Sequence, residues 1–232
     1  MPRIVQQMAK KGSQKWLQKL VNNRPDMLAR ELAPALRLAS GDQIFWLSPI
    51  KSDAYSEYSD DTFLECLNIN LSKNSLEMFW PKRGPVWDGL GRTRHGDLIL
   101  LEAKAHIGEM VSPPTAAVKT SLLKIRKSLD ETKSFLGSKS LHDWASTYYQ
   151  YTNRLAHLYL LRELNCLPAH LVFLYFVNAA DVAGPKTREE WEGAIKLLHN
   201  FLGINRHKLS AYVIDAFIDV EELESAVGLA TG

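Results

Sequence analysis

The sequence PVWDGLGRTRHGDLILLEAK occupies residues 85–104. Its second half is a continuous apolar run between Gly96 and a polar end, which predicts a strand buried on both faces. Its first half predicts the preceding strand, and residues 93–96 predict a basic turn between the two. Because side chains alternate across a strand, we expect Glu102 and Lys104 on one face and Ala103 on the other. Pairing of the two strands would let Asp88 reach the face that carries Glu102.

Two carboxylates and one ammonium at the end of a buried strand predict a divalent metal site. Such charges are costly to bury unless they pair with each other or bind a cation. Carboxylate oxygens suit Mg2+ or Mn2+, and the Ala103 carbonyl is a further candidate ligand beside Asp88 and Glu102. Lys104 is then placed to orient an attacking water or to stabilise negative charge, as in metal-assisted phosphodiester hydrolysis. The alternative is a structural salt bridge between Lys104 and a carboxylate.

The pattern resembles the signature of the PD-(D/E)XK nuclease superfamily, in which an acidic residue is followed, after a gap, by Glu-x-Lys on the next strand. Asp88 and the tripeptide 102–104 match it, although Trp87 stands where the signature has proline and the nearest proline is Pro85. The resemblance covers residues 57–178, and the wider sequence looks like an uncharacterised bacterial branch. It implies a restriction endonuclease-like αβββαβ core, which is an α/β fold with a mixed central sheet flanked by helices.

The resemblance also implies site residues outside the hairpin. Members often carry an additional glutamate on the helix before the sheet. Glu57 is the first candidate and Glu65 the second, and the alternative is that Glu57 and Asp60 only cap the following helix. The helix after the Glu-x-Lys strand often brings a glutamine or a basic residue to the site. Gln150 and Arg154 match these positions, and the alternative there is a polar stripe that faces solvent.

The remaining elements are predicted from hydrophobic periodicity and from capping residues. Residues 1–41 are expected to form an N-terminal helical extension, whose second helix begins at Pro25 and ends at Gly41. Residues 42–232 are expected to form the nuclease-like domain. Its helices are predicted over 60–71, over 115–136, from Ser140 onward, and between Thr187 and Gly203. Its strands are predicted over 74–80, 85–92, 97–104, 169–178 and 209–217.

The net charge of the 232-residue chain is only +2, which excludes a polycation that binds nucleic acid over its whole surface. Binding therefore requires local basic patches, and the candidate contacts are Arg92, Arg94, Lys124, Lys127 and Arg154. The two distant cysteines give no zinc or disulfide pattern, and no apolar run reaches the length of a membrane span. We therefore expect a cytoplasmic protein without a membrane partner.

The leading functional hypothesis is a Mg2+- or Mn2+-dependent nuclease that acts on DNA. In it Asp88, Glu102, Ala103 and Glu57 hold the metal, the last through a water. Lys104 assists the attacking water, and Gln150 touches the scissile strand together with Arg154. RNA instead of DNA is one alternative. A non-catalytic nucleic-acid-binding or interaction protein that retains the fold is the other, and a homodimer stays open in each case.

Overall fold

The structure is a computed structural model that describes residues 3–39, 42–113 and 117–229. Its strands are β1 (Arg3–Ile4), β2 (Ile44–Ser48), β3 (Glu57–Tyr58), β4 (Gly89–Thr93), β5 (Leu98–Lys104), β6 (Ala169–Val177) and β7 (Val213–Asp219). Its helices are α1 (Gly12–Asn23), α2 (Pro25–Leu36), α3 (Asp60–Cys66), α4 (Leu76–Phe79), α5 (Lys119–Leu136), α6 (Tyr149–Tyr159), α7 (Arg188–Leu202) and α8 (Val220–Leu229). A π-helical segment, Leu160–Leu164, continues α6. Within these ranges no helix combines the length and the apolar character needed to span a membrane.

Five strands form one mixed sheet in the order β2-β4-β5-β6-β7. The neighbours among β2, β4 and β5 are antiparallel, and those among β5, β6 and β7 are parallel. This confirms the expected mixed sheet, in which a tight turn leads to an antiparallel neighbour and a helical crossover leads to a parallel one. β1 and β3 form a separate two-stranded ribbon.

Helices cover both faces of the sheet, and each face has its own apolar cluster. Even-numbered residues of β5 point toward α5, α6 and α7, whereas odd-numbered residues point toward α1, α2 and α8. The first cluster includes Leu100, Leu129, Leu155 and Trp191, and the second includes Ile99, Trp16, Leu28 and Leu223. Because side chains alternate along the strand, Glu102 and Lys104 lie on the α6 side and Ala103 lies on the α1 side.

The first strand of the sheet is not where the sequence predicted it. Residues 74–80, predicted to be that strand, contain the short helix α4, and its N-cap Ser75 accepts a hydrogen bond from the amide of Met78. A serine cap satisfies an amide that a helix start otherwise leaves free, so it favours a helical turn there. The sheet begins instead with β2, which pairs with β4 so that Trp46 lies opposite Gly91.

Several element ends also differ from the prediction. The helix expected from Ser140 begins only at Tyr149, because the side chain of Asp143 accepts a hydrogen bond from the amide of Ala145 and closes a turn before it. The predicted ends at Gly41 and Thr115 lie outside the described residues. Within the described residues, α2 ends at Leu36 and α5 begins at Lys119. The predicted strand 85–92 begins only at Gly89 and ends at Thr93. Other corrected ends are Cys66 for α3, and Val213 and Asp219 for β7. The predicted start of α2 at Pro25 and the caps of α7 at Thr187 and Gly203 are confirmed.

The strand β7 lies at one edge of the sheet, with β6 as its neighbour. The side chain of Glu31, which projects from α2, accepts a hydrogen bond from the backbone amide of Phe217 at 3.1 Å. A helix on one face of the sheet therefore contacts the outer backbone of this strand.

Candidate active site

The hairpin of β4 and β5 brings the two candidate carboxylates together. Gly89 pairs with Leu101 and Leu90 pairs with Leu100, and the same register continued by one residue sets Asp88, directly before β4, opposite Glu102 of β5. A Cβ atom at position 89 would lie 3.2 Å from the Cβ of Leu101, which shows how closely the strands approach there. At the other end of the hairpin, the Thr93 hydroxyl donates to the Asp97 carboxylate at 2.9 Å and closes the turn.

Glu102 is a buried carboxylate with both oxygens hydrogen-bonded to cations. Only 1% of the residue is exposed. Its Oε1 lies 2.5 Å from Lys104 Nζ, and its Oε2 lies 2.7 Å from Arg154 Nε and 2.5 Å from Arg154 Nη2. Burial by itself would raise the pKa of Glu102, but the charges of Arg154 and Lys104 outweigh burial and hold the pKa below its usual value. Glu102 is therefore ionised at neutral pH.

Asp88 is held against the backbone of β5. Its Oδ2 accepts a hydrogen bond from the amide of Ala103 at 2.8 Å. Burial, and after it the nearby charge of Glu102, raises the pKa of Asp88 to about 8. The N–H and C=O of one strand residue point to the same side, so the Ala103 carbonyl also points toward Asp88. Asp88 consequently occupies a place where an added positive charge would be favourable.

Lys104 connects Glu102 to the first turn of α6. Its ammonium donates to the amide oxygen of Gln150 at 2.7 Å as well as to Glu102. The backbone amide of Gln150 in turn donates to the hydroxyl of Ser112 at 2.9 Å. The side chain of Lys104 is 10% exposed, compared with 1% for that of Glu102. Lys104 is therefore the more accessible partner in this ion pair.

An open cleft of about 310 Å³ lies over these residues. Glu109 and Ser13 line it, and neither was predicted to be a site residue. Glu109 accepts a hydrogen bond from the amide of Ala105 at 2.6 Å and one from the Ser13 hydroxyl at 3.3 Å. Glu109 could have been predicted as a site residue, because it lies in the loop directly after the Glu-x-Lys strand. Ser13 lies 75 to 91 residues before the motif, and no local pattern connects the two.

Of the two candidate glutamates, Glu57 is the one near the site. It lies on β3 rather than on a helix, and its carboxylate accepts hydrogen bonds from Gln14 at 2.9 Å and from Gln6 at 3.1 Å. Burial raises the pKa of Glu57, and the charge of Glu102 raises it further. Its hydrogen bonds go to the N-terminal segment and the N-cap of α3 is Ser59, so the alternative that Glu57 only caps the next helix was wrong. Glu65 is exposed on α3.

Most of the predicted DNA contacts lie away from the carboxylates. Arg92 is near the far end of β4, about 13 Å from Asp88 along the strand, and Arg94 follows it in the turn. Lys124 on α5 donates to the carbonyl of Glu77 at 2.9 Å, and Lys127 is exposed on the same helix.

Arg154 does reach the site, but it faces Glu102 rather than solvent. Its side chain is 3% exposed. Every residue of α6 from Tyr151 to Tyr159 is buried, so the alternative of a solvent-facing polar stripe on this helix was wrong. His157, on the same helix, lies among Phe63, Trp80 and Trp87, and burial lowers its pKa to about 3.

The site offers a divalent cation hard oxygen donors, from Asp88, Glu102 and the Ala103 carbonyl. Among the residues that the structure describes, no group of three or more histidine, cysteine, aspartate or glutamate side chains is arranged to hold a metal ion. Mg2+ commonly binds through one or two carboxylates and keeps several waters, so a donor set of this size and hardness fits it. No protein-family model, curated protein or solved structure matches the chain.

Proposed function

We propose that this chain is a metal-dependent nuclease that hydrolyses phosphodiester bonds of DNA. The observation that carries the proposal is the pairing of Asp88 with Glu102 beside Lys104, at the floor of an open cleft. Two further points support it. The motif resembles that of the PD-(D/E)XK superfamily. The sheet is also mixed, as the resemblance implies, with an antiparallel part and two parallel strands, although α3 and α4 stand between β2 and β4 where the implied core has consecutive strands.

Asp88, Glu102 and the Ala103 carbonyl would hold Mg2+ or Mn2+, with Glu57 acting through a water. A bound divalent ion supplies charge neutralisation at the phosphate and lowers the pKa of a bound water. Asp88 would offer the ion its second oxygen, Oδ1, because Oδ2 already accepts the hydrogen bond from the amide of Ala103. Burial of Glu102 keeps its carboxylate in one orientation.

Lys104 would orient the attacking water or stabilise the charge that develops on the phosphate. Its ammonium lies on the same strand face as Glu102 and is the more exposed of the two groups. The amide oxygen of Gln150 accepts a hydrogen bond from the Lys104 ammonium at 2.7 Å and so fixes the direction of the Lys104 side chain. A fixed donor beside a reacting phosphate contributes to catalysis because it needs no reorganisation in the transition state.

A non-catalytic nucleic-acid-binding or interaction protein is the second candidate, and one observation favours it. Both oxygens of Glu102 are already hydrogen-bonded to the cations Lys104 and Arg154. A buried carboxylate with two such partners is satisfied without a metal ion. A protein of this class would keep these residues for stability alone.

A cleavage panel distinguishes the two candidates. Linear and circular duplex DNA, single-stranded DNA and RNA are incubated with the wild-type chain and Mg2+ or Mn2+. The variants are Glu102→Gln and, as the matched control, Glu65→Gln, whose side chain is exposed on α3. We expect DNA cleavage by the wild type and the control and none by Glu102→Gln. Cleavage at the wild-type rate by Glu102→Gln would refute the site, and DNA binding without cleavage would favour the second candidate.

A further inference from the structure

Arg154 makes more polar contacts than its predicted role as a substrate contact requires. Its Nε and Nη2 both reach Glu102 Oε2, and Nη2 also donates to the carbonyl of Val86 at 2.6 Å. Its Nη1 donates to the side chain of Asn153 at 3.1 Å. The guanidinium lies 4.6 Å from the centre of the Trp87 ring. With its side chain 3% exposed, Arg154 has no accessible face to offer a nucleic-acid backbone.

These contacts connect the two segments that carry the candidate carboxylates. Val86 and Trp87 directly precede Asp88, and Glu102 is on β5. Arg154 therefore fixes the chain before Asp88 to the strand that Asp88 itself contacts through the amide of Ala103. The planar guanidinium can make these contacts at once because its donors form a rigid fork, which a lysine ammonium lacks.

The two cations at Glu102 differ in how firmly they are held. Lys104 contacts Oε1 with a single ammonium at the end of a flexible stem, and its side chain is 10% exposed beside the cleft. Arg154 contacts Oε2 through two nitrogens and is anchored to the Val86 carbonyl and the Trp87 ring. A cation that enters from the cleft therefore meets the Lys104 side of Glu102.

We infer that Arg154 is a positioning residue: it compensates the buried charge of Glu102, fixes Asp88 beside it, and keeps Oε2 when a divalent cation takes Oε1 from Lys104. The part that concerns the cation rests on the proposed function. The part that concerns Glu102 and Asp88 does not, because it describes contacts within the chain itself.

Unfolding temperatures in EDTA test the internal part of the inference. Arg154→Met removes the donors of Glu102 Oε2 and of the Val86 carbonyl, which are both buried, and leaves Lys104 as the only cation bonded to Glu102. The variant should therefore lower the Tm by about 10 °C. The double variant Arg154→Met/Glu102→Gln should recover part of that loss, because a neutral amide is less costly than a carboxylate to bury without Arg154, while Lys104 keeps Gln150 as a partner. The control is Arg126→Met, which removes a half-exposed surface pair with Asp143 and should shift the Tm by about 2 °C or less. An Arg154→Met shift no larger than that of the control, or no recovery in the double variant, would overturn the inference.

Calorimetric titration with Mn2+ tests the part that concerns the cation, and Arg154→Lys serves even if Arg154→Met fails to fold. Lysine keeps the positive charge near Glu102 but cannot reach Glu102 and Val86 as a fork. We expect Mn2+ to bind Arg154→Lys about 10- to 100-fold more weakly than the wild type, as is typical when a residue that orients a ligand is lost. Wild-type Mn2+ affinity in this variant would overturn the positioning role. If the wild type binds no Mn2+, the proposed function and this half of the inference fail, while the EDTA measurements still decide the other half.

Discussion

The raised pKa of Asp88 makes the stability of this protein depend on pH, and Asp88→Asn should remove that dependence. The pKa is about 8 in the folded chain, against an ordinary value of 3.8. A carboxyl whose pKa is raised on folding contributes its full stability only below its unfolded pKa, and that stability is lost as the pH rises to the folded pKa. Each pH unit between these two pKa values corresponds to about 1.4 kcal/mol, so the loss of stability is on the order of 5 kcal/mol between pH 4 and pH 8.

Asparagine keeps an oxygen that accepts the hydrogen bond from the amide of Ala103, but it does not ionise. We therefore expect wild type and Asp88→Asn to have similar free energies of unfolding near pH 4, and the variant to become the more stable by several kcal/mol near pH 8. Urea unfolding in EDTA at five pH values measures this difference. The control is Asp130→Asn, an exposed aspartate on α5. A difference between wild type and Asp88→Asn that stays flat from pH 4 to pH 8 would show that Asp88 is not buried beside Glu102 in the way described.

Three further predictions concern the same site. Lys104→Met should lower the rate of DNA cleavage by about 10²–10⁴-fold. Mn2+ should bind this variant at least as tightly as the wild type, because the Lys104 ammonium competes with the metal ion for Glu102. Weaker Mn2+ binding in calorimetry would mean that the lysine holds the carboxylates in place. Gly89→Ala should lower the Tm and weaken Mn2+ binding, because the new Cβ would lie 3.2 Å from the Cβ of Leu101. The control Gly193→Ala, with open space around it on α7, should leave the Tm unchanged or raise it. Equal Tm values for the two variants would contradict the close approach of the two strands at Gly89. DNA affinity, measured by fluorescence anisotropy, should fall by orders of magnitude between about 50 and 200 mM salt, and an affinity that does not change would indicate a protein partner.

The sequence predicted the hairpin because the information is local. The apolar run before Glu102 and the glycine-flanked Asp88 lie within 20 residues, and the alternation of a strand settles which side chains share a face. The first strand of the sheet was assigned wrongly because residues 44–48 and 74–80 are both short segments that carry four apolar residues each. The cap at Ser75 favours a helical turn in the second segment, and the pairing of Trp46 with Gly91, more than 40 residues away, places the first segment in the sheet.

The site was predictable to a similar extent. Gln150 was found from its position on the helix after the motif, although that helix starts nine residues later than predicted. The role of Arg154 was not predictable, because the local sequence around a basic residue on a helix does not show whether it faces solvent or a carboxylate 52 positions earlier. Nor does the local sequence place Ser13 at the cleft, since that contact arises only when α1 packs on the sheet.

The contact between Glu31 and β7 has a consequence for how copies of this chain can associate. The outer edge of a sheet normally exposes amides that an incoming strand can use as donors. At Phe217 that donor is already bonded to the Glu31 carboxylate, so a strand from another molecule would have to displace an anionic side chain in order to pair there. Glu31 therefore occupies one backbone donor of this edge and places a carboxylate where an incoming strand would have to pair.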